Sequence, residues 1–122
     1  MSIKVLLVDD DEAFRAVTAI ALESEGCAVR EAPDGYAALD ALKSENPDVI
    51  ISDLDMPSLD GLELCHLVRA NPRLVKTRFV LLSALIDPDG FGTPLRHEAD
   101  CCLSKQLQFH QLFNQIESLT NR

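Results

Sequence analysis

The sequence predicts an α/β domain: a doubly wound, five-stranded parallel sheet with helices on both faces. Three observations predict it. Short, almost continuously apolar runs alternate with segments of helical period. Two of the runs, Ile3-Lys4-Val5-Leu6-Leu7-Val8 and Val49-Ile50-Ile51-Ser52, are rich in β-branched residues and fit strands buried on both faces. Four of the five strand-like runs end at polar, reactive side chains: Asp9-Asp10, Asp53, Ser83 and Lys105.

The elements follow in order. The first strand ends in Asp9-Asp10-Asp11-Glu12, where acidic residues suit the unpaired N–H groups of a helix start. A helix from Glu12 to Glu25 follows, with Phe14, Val17 and Ala21 on its apolar face and Gly26 as its C-terminal cap. Asp11 is read as a helix cap only. Cys27 to Ala32 is a weaker second strand, Pro33-Asp34-Gly35 a turn, and Tyr36 to Ser44 a helix stopped at Asn46-Pro47. The third strand runs into Asp53. A loop with Pro57 then leads to Asp60-Gly61 and a helix from Leu62 to Arg69, closed by Asn71-Pro72. Gly35, Gly61 and Pro57 are read as turn geometry. Phe79 to Ser83 is the fourth strand and Cys101 to Leu103 a short fifth. The last helix runs from Leu107 to Leu119, with Phe109, Leu112, Phe113 and Ile116 on one face. A helix is due between the fourth and fifth strands, but Asp87 to Pro94 contains two Pro and two Gly, which oppose it. The expectation there is a long loop and at most a short helix from Pro94 to Glu98.

The chain has 122 residues, the length of one domain, and is read as a single domain, 1–122, with no effector domain. With 47% apolar and 25% charged residues it has an ordinary globular composition, and with no Trp and one Tyr its core must be aliphatic. A net charge of -9 argues against direct nucleic-acid binding and against an anionic membrane surface. Cys27, Cys65, Cys101 and Cys102 show no metal spacing and are read as buried free thiols of a reducing, cytoplasmic protein; adjacent Cys101 and Cys102 should face opposite sides of their strand. Lys4 and Asp9 interrupt any signal peptide, and no apolar run approaches a membrane span. His66, His97 and His110 lack metal spacing and are read as surface residues.

In open parallel sheets ligands bind beyond the carboxyl ends of the strands. Asp9, Asp10 and Asp53, with Asp55 two residues on, should therefore meet Ser83 and Lys105 on one sheet edge. Carboxylates so close repel one another, and a divalent cation relieves this. All-oxygen ligands favour magnesium, calcium or manganese. A sparse site suits magnesium (Mg2+), with manganese as a substitute, together with a phosphoryl ligand. Lys105 would add positive charge against a phosphoryl oxygen and Ser83 a hydrogen bond. Asp53 sits centrally, and a carboxylate ionised at neutral pH can attack phosphorus without a general base.

Taken together, Val8-Asp9-Asp10, Ser52-Asp53-Leu54-Asp55-Met56-Pro57, Asp60-Gly61-Leu62-Glu63-Leu64, Ser83-Ala84 and Lys105 resemble the receiver domain of two-component response regulators over nearly the whole chain. The resemblance implies a flavodoxin-like (βα)5 fold with strand order 2-1-3-4-5. It implies that Asp53 is the phospho-acceptor, charged by a sensor histidine kinase, a phosphotransfer protein or a small phosphodonor. Asp10 would bind the metal directly, Asp9 through water, and Asp55 through its backbone carbonyl. Ser83 would swing toward the phosphoryl group and Lys105 would pair with it, with slow self-dephosphorylation rather than enzymatic turnover. The output would be a downstream protein or an effector domain in a longer chain, and the receiver itself a monomer or weak homodimer.

Three departures from the family pattern fall on the face that usually signals. Gln106 follows the lysine where proline is usual, so its peptide should be trans. Cys102 stands where an aromatic switch residue is common. The fourth helix is eroded, which directs the signal to the loop from Leu85 to Pro94. Two other readings compete: a pseudo-receiver that only binds partners, and a haloacid-dehalogenase-like phosphatase whose Asp-x-Asp motif would be Asp53-Leu54-Asp55. Pro57 and the mid-chain position of that motif oppose the phosphatase.

Overall fold

The computed structural model describes residues 2–84 and 98–120. Parallel strands β1 (Lys4–Val8), β2 (Ala28–Ala32), β3 (Val49–Asp53), β4 (Arg78–Ser83) and β5 (Cys101–Ser104) form one sheet in the order β2-β1-β3-β4-β5. Helices α1 (Glu12–Ser24), α2 (Gly35–Leu42), α3 (Gly61–Arg69) and α4 (Phe109–Thr120) flank it, and a 3-10 turn, Pro72–Leu74, precedes β4. The expected break from Asp87 to Pro94, the loop from Leu85 and the short helix from Pro94 lie outside the described residues, as does His97; Glu98, at that helix's end, is in a turn.

Each helix start has a local cause. The Asp11 carboxylate accepts from Phe14 N at 3.1 Å and Asp34 from Ala37 N at 2.8 Å, each supplying a partner to an orphan N–H. At α3, Asp60 and Glu63 form a reciprocal capping box. Gly26 follows the end of α1 at φ +98, a left-handed position that suits glycine. Asn71 caps the 3-10 turn through Arg73 N, with Pro72 at its first position.

Alternate side chains of the strands feed two cores, one on each face. Leu6, Val8, Ile50, Phe79, Leu81 and Cys102 pack with α2 and α3, whereas Val5, Leu7, Ile51, Val80, Leu82 and Leu103 pack with α1 and α4. Cys101 joins the second core and Cys102 the first, so the pair does face opposite sides. All four cysteines are free; Cys101 is half-buried and the other three are buried.

Two expectations need correction. Val17 is 52% exposed; the buried face of α1 runs through Thr18, Ala19 and Leu22, with Phe14 half-buried beside it. The hydroxyl of Thr18 donates to Phe14 O at 2.7 Å, which removes the cost of burying it. Gly35 and Gly61 are not turn residues with special φ angles but the first residues of α2 and α3, where backbone and side chains approach too closely for a Cβ. A methyl on Gly61 would strike the Asp53 carbonyl and come 2.8 Å from Leu81. On α4, Leu112 and Ile116 are buried while Phe109 and Phe113 are half-buried. No peptide among the described residues is cis, which includes that before Gln106. His66 and His110 are exposed.

Arg69 ties α3 to the sheet's far edge. It donates to Thr77 O, Glu98 O and the Asp100 carboxylate at 2.7, 2.7 and 2.8 Å. Asp100 also accepts from Phe79 N at 2.7 Å, so the chain entering β5 is fixed against β4.

Candidate functional site

The parallel order places the C-terminal ends of β1, β3, β4 and β5 side by side. Val8 lies opposite Ser52, Asp53 opposite Leu82, and Ser83 opposite Ser104. The residues just after or at those ends are Asp9, Asp53, Ser83 and Lys105. Asp9, Asp53 and Ser83 are all buried, at 1%, 6% and 1% exposure. Lys105 N donates to Ser83 O at 3.0 Å, which continues the β4–β5 pairing into the lysine.

Lys105 brings the acids together. Its Nζ stands 2.9 Å from Asp9 Oδ2 and 3.3 Å from Asp53 Oδ2. Asp53 Oδ1 accepts from Asp55 N at 3.3 Å, and Asp9 Oδ1 from Asp11 N at 2.9 Å. Arg15, on the first turn of α1, donates to the Asp9 carbonyl at 2.6 Å while its Nε holds Glu31 at 3.0 Å. The Phe14 ring lies beside the lysine, its centroid 4.6 Å from Nζ. Sequence reading missed Phe14 and Arg15 as site residues. Their only signal was position: they fall in the first helical turn after the acidic strand end.

Burial pushes the Asp53 carboxyl up to about 6, and the neighbouring Asp9 charge adds to this; Lys105 and the Asp55 N–H pull in the other direction. The carboxylate therefore stays mostly ionised at neutral pH, as the sequence suggested, but with a narrower margin than an exposed aspartate has. Burial alone would lower the Lys105 ammonium, yet its contacts with Asp9 and Asp53 hold it above its usual range.

Ligand oxygens of Asp9, Asp10 and Asp53 lie within 4.8 Å of one another, with Asp10 exposed at the rim. Asp9 Oδ2 is buried and, among the described residues, accepts no hydrogen bond; the ammonium is close to it but not aligned for one. A buried carboxylate oxygen answered only by a nearby ammonium, inside a carboxylate trio, fits a hard divalent cation such as magnesium. The Asp55 side chain is exposed and stands outside the trio.

The profile of the response regulator receiver domain matches residues 5–117. The chain belongs to that family. The receiver is 35% identical over 126 residues to the response regulator MprA of Mycobacterium tuberculosis, covering 100% of this chain and 52% of MprA. It thus spans about half the length of the curated relatives it matches. Among solved structures it resembles the Francisella response regulator 1452 receiver domain, with 31% identity, a TM-score of 0.84, and coverage of 98% of this chain and 97% of that one. It also resembles TrrA of Thermotoga maritima, solved in complex with Mg2+ and BeF, with 27% identity, a TM-score of 0.81, and coverage of 98% and 99%. The receiver is therefore homologous to the phospho-acceptor domains of two-component signalling. No helix among its described residues is long and apolar enough to cross a membrane.

Proposed function

We propose that Asp53 is the residue that accepts the phosphoryl group, in a magnesium-dependent transfer, and that Asp9, Asp10, Ser83 and Lys105 complete its site. The observation that carries this is the convergence of Asp53 with two further aspartates and one buried ammonium at the strand ends. In the transfer, an ionised oxygen of Asp53 forms a bond to phosphorus as the bond from phosphorus to the donor nitrogen or oxygen breaks, and the donor leaves with that electron pair. The product is a carboxyl phosphate, and attack of water on its phosphorus restores Asp53.

The chain's own residues set the conditions. Lys105 opposes the burial that would protonate Asp53, keeping the nucleophile ionised at neutral pH. Its ammonium is then placed to pair with a phosphoryl oxygen. Ser83 supplies a hydroxyl from the adjacent strand end. Magnesium held by Asp9, Asp10 and Asp53, with the Asp55 carbonyl, would supply neutralisation of the charge gathered on carboxylate and phosphoryl oxygens. TrrA's capture of Mg2+ with BeF supports this reading.

The donor is a sensor histidine kinase, a phosphotransfer protein or a small acyl phosphate. The recipient of the signal is a downstream protein or an effector region, in keeping with relatives about twice as long. We place the receiver in the cytoplasm as a monomer or weak homodimer, acting as a regulatory acceptor without turnover of a separate substrate. The phosphatase alternative falls with the family assignment and with Asp53 on the third strand rather than the first. Titration with beryllofluoride and magnesium, read by NMR, tests the site: the amides of Asp53 and Ser83 should shift together at saturating ligand. A spectrum unmoved at both residues would leave only the pseudo-receiver reading.

A further inference from the structure

We infer that Phe14 is a positioning residue for Lys105: its ring face holds the ammonium between Asp9 and Asp53. This rests on the acceptor reading above and extends it to a residue outside the acidic and basic set.

A lysine is a point charge on a flexible four-carbon stem, and several rotamers reach any given pair of carboxylates. Here a third group, the Phe14 ring, adjoins the ammonium beside the two carboxylates. The ring centroid is 4.6 Å from Nζ, within the range of cation–π attraction, and the lysine side chain is only 16% exposed. In such a partly dry setting the ring's negative face is worth more than at an open surface. Phe14 and Lys105 also line one small, largely apolar pocket with Leu82, Ser104, Leu107, Phe109 and Leu112.

The backbone that carries the ring is itself held by the turn that builds the site. Phe14 N donates to the Asp11 cap, and the next residue, Arg15, grips the Asp9 carbonyl. Thr18 bonds back to the Phe14 carbonyl one turn on. The acid that the lysine pairs with and the ring that the lysine lies beside are therefore held by one helical turn. The ring also differs in kind from the other partners. Asp9 and Asp53 change their charge when they take a proton, a cation or a phosphoryl group. Phe14 does none of these, so its hold on the ammonium persists when theirs changes.

Phe14→Leu and Phe14→Tyr separate this role from mere packing, since leucine keeps an apolar side chain and loses the ring while tyrosine keeps the ring. In the metal-free wild type, the Lys105 ε-methylene protons should be shifted upfield by the ring; the shift should vanish in F14L and persist in F14Y. The rate of phosphorylation by acetyl phosphate with magnesium should fall about three- to tenfold in F14L and recover in F14Y. Equal slowing in both variants, or no slowing in F14L, would overturn the inference, as would an unshifted Lys105 signal in a wild-type protein that phosphorylates normally. A shifted signal in a wild type that takes no phosphoryl group would instead overturn the acceptor reading and, with it, the positioning role.

Discussion

Asp53 is held in tension between burial, which favours its neutral form, and Lys105, which favours its anion. Burial wins, and the carboxyl rises from 3.8 to about 6. The consequence for stability has a definite sign. The folded protein takes up this proton at higher pH than the unfolded chain does, so Asp53 destabilises the fold fully above pH of about 6, and the penalty fades as pH falls toward about 4. Discounted for the solvent and the Lys105 charge that reach the carboxylate, the penalty is on the order of 1–2 kcal/mol. In metal-free protein, Asp53→Asn should therefore be more stable than wild type by that order near pH 8, and urea melts should show the gap closing as pH is lowered. Magnesium should narrow the gap at neutral pH. A gap that does not change with pH would mean that Asp53 is not desolvated as described. Lys105 belongs to the same balance: it lies beside Asp9, Asp53 and Phe14 at once, so no pairwise reading of it is complete.

The site depends on how tightly α3 is pressed against the end of β3. Gly61 N donates to Leu54 O at 3.0 Å, and the glycine leaves no room for a Cβ beside the Asp53 carbonyl. Gly61→Ala should cost about 1–3 kcal/mol in denaturant unfolding and slow phosphorylation by displacing Asp53. A variant with unchanged midpoint and rate would show that this contact can relax. Such close approaches were not legible in the sequence, where Gly61 reads only as a turn. The strands were legible because a doubly covered parallel strand must be apolar along its length, as Val49 to Ile51 are. Helix starts at Asp11 and Asp60 were legible because a cap is a local hydrogen bond. The face of α1 was not, because Thr18 is buried through a hydroxyl bond that no hydropathy pattern records, while Val17 faces outward. Phe14 and Arg15 escaped notice because their partners, Lys105, Glu31 and the Asp9 carbonyl, are defined only by the fold.

For the whole molecule, the arrangement follows from the sheet's polarity. Parallel pairing in the order β2-β1-β3-β4-β5 sends the ends of β1, β3, β4 and β5 to one edge, and the acids and lysine have nowhere else to meet. At the opposite, N-terminal end of the strands, Arg69 and Asp100 seat the chain entering β5, the strand that delivers Lys105. The acidic chemistry was therefore legible in outline from the strand ends, whereas the raised Asp53 carboxyl and the ring beside the lysine emerged only from packing. We propose that this geometry makes Asp53 a magnesium-dependent acceptor. Intact-protein mass spectrometry after incubation with acetyl phosphate tests it most directly. The wild type with magnesium should gain the mass of one phosphoryl group, with no gain after chelation of the metal and none in Asp53→Asn. Equal labelling of wild type and Asp53→Asn, or labelling indifferent to magnesium, would contradict it.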